Sequence, residues 1–217
     1  SPFSSEIIYS LLFGVVVASL IPFYVFFILK RKLTVSDAGA VAATYGSVSA
    51  VTFVAAASFL ETQNIHFGGH MVAVMALMES PAIIVGVILM MIYDKESENQ
   101  GKLKDVIQHS FTNGSVLMIM GSLLIGLIAD TRQAEGIKPF TNDIFKGFLA
   151  IFLLEMGMVT AKRFSAFRKY GLYVTMFAIL IPLLNGCLAA LAGKLVTAEP
   201  GNRFILSILA ASSSYIA

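Results

Sequence analysis

Charge is what this chain has least of. Only 13% of its 217 residues are Asp, Glu, Lys or Arg, about half of the ~25% usual in soluble domains, and an ordinary soluble globule is thereby excluded. The charges that exist nearly balance, 15 basic against 13 acidic, which leaves no basic surface of the kind that binds nucleic acid. One cysteine, Cys187, allows no intrachain disulfide and no metal-binding Cys spacing. Enzyme constellations are also missing. The serines at 212 to 214 have no neighbouring His and Asp to activate them, which sets aside an intramembrane hydrolase, and His109 stands without a partner. His66 and His70 lie four apart near Glu61 but flank Gly68-Gly69, the pattern of an interfacial turn more than of a metal pair. The chain starts with Ser1-Pro2, shows no signal peptide with a cleavage site, and stops inside an apolar run, so it reads as part of a longer protein.

What is present is apolar: 57% of residues are hydrophobic. A hydrocarbon core of ~30 Å needs about 20 such residues per helix. Complete runs of that kind cover residues 7–29, 37–60, 71–93, 106–129, 144–161 and 172–195, with another starting near 204. Helices are the default for them, because lipid offers no partner to stray backbone groups. Lys30, Arg31, Lys32, Lys95, Lys102, Lys104, Lys162, Arg163, Arg168 and Lys169 fall on one side of these runs; Arg132, Lys138, Lys194 and Arg203 fall on the other. The bias puts the first side in the cytoplasm and the N-terminal end of the first helix outside. The polar stretch 94–105 is a short cytoplasmic linker, dividing the chain into 1–93 and 106–217.

The second run carries Gly39, Thr44, Gly46, Ser47, Ser49, Thr52 and eight alanines. Small residues favour close helix packing, and glycine and hydroxyl groups at mid-depth also interrupt a helix and let backbone approach a ligand. A second copy favours the latter. Ala210-Ala211-Ser212-Ser213-Ser214 matches Ala42-Ala43-Thr44-Tyr45-Gly46 in placement, and each follows a proline helix, Leu20-Ile21-Pro22 in one case and Leu180-Ile181-Pro182 in the other. The two units run in opposite directions. Inverted repeats with paired interrupted spans are the sequence pattern of a secondary-transporter site at the bilayer midplane. Half-helix N-termini there suit a small anion, and freed carbonyls and hydroxyls suit a cation. Glu79, central in the third run and followed by Pro81, is a candidate for cation or proton coupling, with a protonated packing glutamate as the other reading. Glu155 in the fifth run reads as a structural or interface residue, and Asn185-Gly186 as packing residues.

The run Gly46-Ser47-Val48-Ser49-Ala50-Val51-Thr52, then Ala55-Ala56-Ala57, Glu79-Ser80-Pro81-Ala82, Met156-Gly157-Met158 and Ala210-Ala211-Ser212-Ser213-Ser214 resembles, in order and spacing, the sodium-dependent bicarbonate permeases of the cyanobacterial type. The resemblance covers nearly the whole chain. It implies an all-α polytopic protein of the plasma membrane, part of a five-plus-five inverted-repeat fold divided into core and gate, forming trimers. It implies Na⁺-coupled symport of bicarbonate, with Ser212, Ser213, Ser214, Ala50 and Val51 on the anion and Ser49, Thr52 and Glu79 on Na⁺. No other cofactor and no catalytic residue are implied. The family pattern has Gly-Ser in place of Ala50-Val51, aspartate in place of Glu79 and aspartate in place of Tyr215, and it has a longer linker, which bears on a PII-like regulatory partner. A proton-coupled or organic-anion carrier and a non-transporting membrane scaffold or sensor are the alternatives.

Overall fold

Pro22 sits inside an otherwise unbroken apolar helix, α1 (Ser5–Leu29), and the lack of an N–H on its ring leaves the Ala18 carbonyl without its helical donor. The next helix is fitted against that point. In the computed structural model, which describes residues 5–93 and 114–214, α2 (Val35–Gly46) is capped at its start by Thr34, whose hydroxyl accepts from Asp37 N at 3.1 Å. It ends where Gly46 meets the proline. A Cβ on Gly46 would lie 2.2 Å from Pro22 Cγ and 2.9 Å from the Ala18 carbonyl oxygen, so only glycine lets the two helices approach this closely. We expect Gly46→Val to cut the yield of folded protein in detergent severely, because overpacking against proline ring and backbone costs about 1–3 kcal/mol or more. Normal yield and melting temperature for that variant would contradict the packing argument.

After Gly46 the chain is extended, with Ser47 at φ −79° and ψ 153°. It re-enters a helix, α3 (Ala50–Thr62), with Ser49 as N-cap; the Ser49 hydroxyl accepts from Thr52 N at 3.3 Å. The second apolar run is therefore two half-helices with a break at 47–49. The break is pinned: Val48 is buried in the main apolar cluster with Phe53, Met78, Ile205 and Leu209.

Helix α4 (His70–Tyr93) packs beside both α1 and α2. A Cβ on Gly86 would fall 2.6 Å from the Ala43 methyl, a small-on-small contact of the kind that brings membrane helices together where lipid tails compete for larger apolar side chains. Helices α1 and α4 finish at the same end, where Lys30 Nζ lies 3.5 Å from the Tyr93 ring centroid and 5.0 Å from that of Phe27, a cation held on aromatic faces.

Two compact units divide the chain, Ser1–Met120 with Pro182–Ala217 and Gly121–Ile181. The helices above belong to the first, as do the end of α8 (Phe164–Ala192) and α9 (Pro200–Ala211), which opens with proline at its first position. Their boundaries fall inside α5 (Gly114–Ile128) and at Pro182 of α8. The second unit contains α6 (Thr131–Lys138), started by a reciprocal capping box between Asp130 and Gln133. A π-helical turn, Pro139–Ile144, leads into α7 (Phe145–Lys162). Glu155 of α7 is exposed within this unit. In α8, Gly171 takes φ +69°, a conformation that favours glycine, and breaks the helix there.

Among the described residues there is no strand, and five helical stretches are long and apolar enough to cross a membrane: Ser5–Leu29, Val35–Thr62, His70–Tyr93, Arg132–Lys162 and Gly171–Leu195. The 106–129 run and the 94–105 linker lie wholly or partly outside the described residues, and Tyr215 lies outside them.

Candidate functional site

Helix α9 ends as α2 does. Each has 12 residues, and each is followed by a serine in extended conformation, Ser47 after α2 and Ser212 (φ −75°, ψ 161°) after α9. The two ends meet. The Ser49 amide donates to Ser212 Oγ at 3.4 Å, and the Ser214 amide donates to the Thr44 carbonyl at 3.0 Å. A helix leaves its last carbonyls and first amides without partners; here each break supplies a group that the other is missing. Ser212 Oγ in turn donates to the Leu209 carbonyl at 2.8 Å, closing the end of its own helix.

The sequence-predicted residues divide in three at this junction. Ser49, Thr52, Ser212 and Ser214 are brought together by the hydrogen bonds just described. Ala50, Val51 and Ser213 lie on the same two segments without bonds across them; Ala50 and Ser213 are exposed and Val51 partly so. The amides of Ala50 and Val51 have no acceptor among the described residues. They point out of the N-terminus of a 13-residue helix, whose macrodipole places partial positive charge there.

Glu79 stands apart. It is 7% exposed on α4, and its Oε2 has no hydrogen-bond partner among the described residues; no bond joins it to Ser49 or Thr52. It lies two turns beyond Gly86 on α4, and Ser47 lies one turn beyond Ala43 on the antiparallel α2, so at ~1.5 Å rise per residue both sit within about a turn of the same depth. The Ser47 hydroxyl, 1% exposed, also has no partner among the described residues. A buried carboxylate oxygen and a buried hydroxyl, both unsatisfied at that depth, are acceptors fit for a cation. Among the described residues no group of three or more His, Cys, Asp or Glu gathers, so no transition-metal centre forms from them.

All 217 residues match the family model of the Na⁺-dependent bicarbonate transporter superfamily. The chain belongs to that superfamily. As a superfamily member it is a membrane transporter, and its apolar helices fit that assignment. No curated protein matches the chain.

Some polar residues of this transporter were not singled out from sequence as functional. Tyr24 OH donates to Asn185 Oδ1, linking the Pro22 helix to the Pro182 helix at the edge of an apolar cavity of about 350 Å³. Glu6, Thr197 and Asn202 form a second network at the opposite end of α1 from Lys30. The only advance signal was the presence of polar residues in or beside apolar runs. Their partners are more than 150 positions away and no local pattern points to them.

Proposed function

We propose that this transporter is a Na⁺-coupled symporter of the plasma membrane, carrying a small monovalent oxyanion, bicarbonate, by alternating access. The observation that carries the reading is the junction of the two breaks. It brings the amides of Ala50 and Val51, at a helix N-terminus and without an acceptor among the described residues, to the same place as the 212–214 serine segment. Amides and hydroxyls bind the anion without a buried lysine or arginine. Ser213 adds an exposed hydroxyl to that side. On the other side Ser47, Ser49, Thr52 and Glu79 offer oxygen to Na⁺, a hard cation that takes carbonyl, hydroxyl and carboxylate ligands. Binding the ion adds positive charge beside the anion, so each improves the site for the other, and this coupling is the thermodynamic basis of symport.

The matched lengths of α2 and α9, their serine ends and the preceding Pro22 and Pro182 helices support an inverted-repeat architecture for the fold. Uptake of labelled bicarbonate into proteoliposomes is expected to fall to background when choline replaces Na⁺. Equal uptake in choline would reject the coupling. Proton coupling is favoured by one observation, that Glu79 Oε2 has no partner among the described residues. A pH jump without Na⁺ separates the two: uptake driven by the jump alone supports the proton reading, and none supports Na⁺.

A further inference from the structure

At the end of α9 remote from the junction, three segments distant in sequence are tied together. The Thr197 hydroxyl donates to Glu6 Oε1, and Asn202 Nδ2 donates to the same oxygen at 3.1 Å. Asn202 Oδ1 accepts from the Gly68 amide at 2.7 Å. The first turn of α1, the α3–α4 connection and the first turn of α9 thus share one network. Asn202 is 2% exposed and Thr197 4%, so the donors are shielded from water, while the Glu6 carboxylate that joins them is partly exposed. Packing at the same place is close: a Cβ on Gly201 would lie 2.0 Å from the His66 carbonyl oxygen.

This network has more to do than satisfy polar groups. Helix α9 has no side-chain N-cap of its own, and the Glu6 carboxylate stands at its positive end. With 12 residues, α9 is a rod of ~18 Å. Ser212 is carried at the far end, where its contact with the Ser49 amide is 3.4 Å, at the long limit for a hydrogen bond. So weak a contact does not fix the register of α9 by itself. Bonds of ordinary length hold α9 at both ends, the Ser214 amide to the Thr44 carbonyl at 3.0 Å at the junction and the Asn202 bonds at the Glu6 end. With Ile205, Leu206 and Leu209 buried along its length, the Glu6 end is one of the supports that set the axial and rotational position of Ser212.

We propose that Glu6 and Asn202 act as a clamp that sets the position of α9, making them positioning residues for the junction of the two breaks. The clamp deepens the transport reading and rests on it for its functional consequence, but the geometry of the junction can be read without transport. In the full-length protein carrying Cys187→Ser, Thr44→Cys with Ser214→Cys reports that geometry as the rate of disulfide formation under a mild oxidant, since the backbone of these residues is hydrogen-bonded at 3.0 Å. Adding Asn202→Ala or Glu6→Ala is expected to slow the cross-link about tenfold, because sub-ångström to ångström misplacement is costly to paired groups. Glu6→Gln, which keeps an acceptor oxygen in the same place, is expected to restore the rate to within about twofold.

In protein without the introduced cysteines, the same alanine changes are expected to raise the KM for bicarbonate about tenfold and to leave the maximal rate within about twofold, the signature of a displaced binding site. A role confined to fold stability would lower melting temperature and yield while leaving the cross-linking rate and KM of the surviving protein unchanged; that result overturns the proposal. If Asn202→Ala does not fold, the comparison of Glu6→Ala with Glu6→Gln decides. If wild-type protein shows no Na⁺-dependent uptake, the transport reading fails, and the cross-linking rate still upholds or overturns the clamp.

Discussion

Ser212→Leu is expected to abolish Na⁺-dependent bicarbonate uptake, a loss of about a hundredfold or more, in protein that still inserts and purifies. Two features of the junction lead to this. The Ser212 hydroxyl is buried, at 7% exposure, between the Leu209 carbonyl and the Ser49 amide. A leucine there removes both bonds and fills the space between the two breaks with a branched apolar side chain. Ser212→Ala removes the bonds without the bulk. The Ser49 amide then loses its acceptor; the bond is long and part-buried, so the cost is at the low end, about 1 kcal/mol, and uptake is expected to fall about fivefold. Ser207 on the same helix is the control. Its hydroxyl is bonded back to the Arg203 carbonyl at 2.8 Å, so Ser207→Ala should leave uptake as it was. The measurement is the initial rate of labelled bicarbonate entry into proteoliposomes, normalised to inserted protein. Wild-type rates in Ser212→Leu would remove the junction from the transport path.

Much of this architecture is legible in the sequence because lipid leaves few options. Runs of about 20 apolar residues have to be helices. Glycines and hydroxyl residues clustered at mid-depth in 37–60 point to an interruption, and the structure breaks that run at Ser47–Ser49. The register is another matter. Matching letters aligns Thr44 with Ser212, yet the residue that takes the extended conformation after α2 is Ser47, three positions later. Thr44 stays helical, its hydroxyl bonded back to the Ala40 carbonyl at 2.9 Å as such residues do inside helices. The helix gives way only where Gly46 presses on Pro22 and Ala18. That contact is between two helices and cannot be read from either alone. The same holds for Glu6 with Asn202 and Tyr24 with Asn185, pairs separated by 196 and 161 positions. Local patterning shows which faces are apolar; it does not show which polar groups meet across helices.

Glu79→Leu is expected to make the protein more stable and inactive. In the structure the carboxylate is nearly buried, with Oε2 lacking any partner among the described residues. Leaving such a group unsatisfied costs about 1–3 kcal/mol, and an apolar side chain of similar size avoids that cost. The melting temperature in detergent should therefore rise, while Na⁺-driven uptake falls to background. Glu79→Gln separates charge from shape. If the carboxylate faces the coupling ion, the KM for Na⁺ should rise about tenfold or more, at least ~1.4 kcal/mol of lost binding, with the KM for bicarbonate changed less. A glutamate that serves the fold predicts the opposite pair of results, a lower melting temperature for Glu79→Leu and an unchanged Na⁺ dependence for Glu79→Gln. On the proposed transport reading, an acid kept in a helix core at a cost to stability serves another step of the cycle, and the position of Glu79 near the depth of the Ser47 hydroxyl, which like Glu79 Oε2 has no partner among the described residues, would suit an arriving cation.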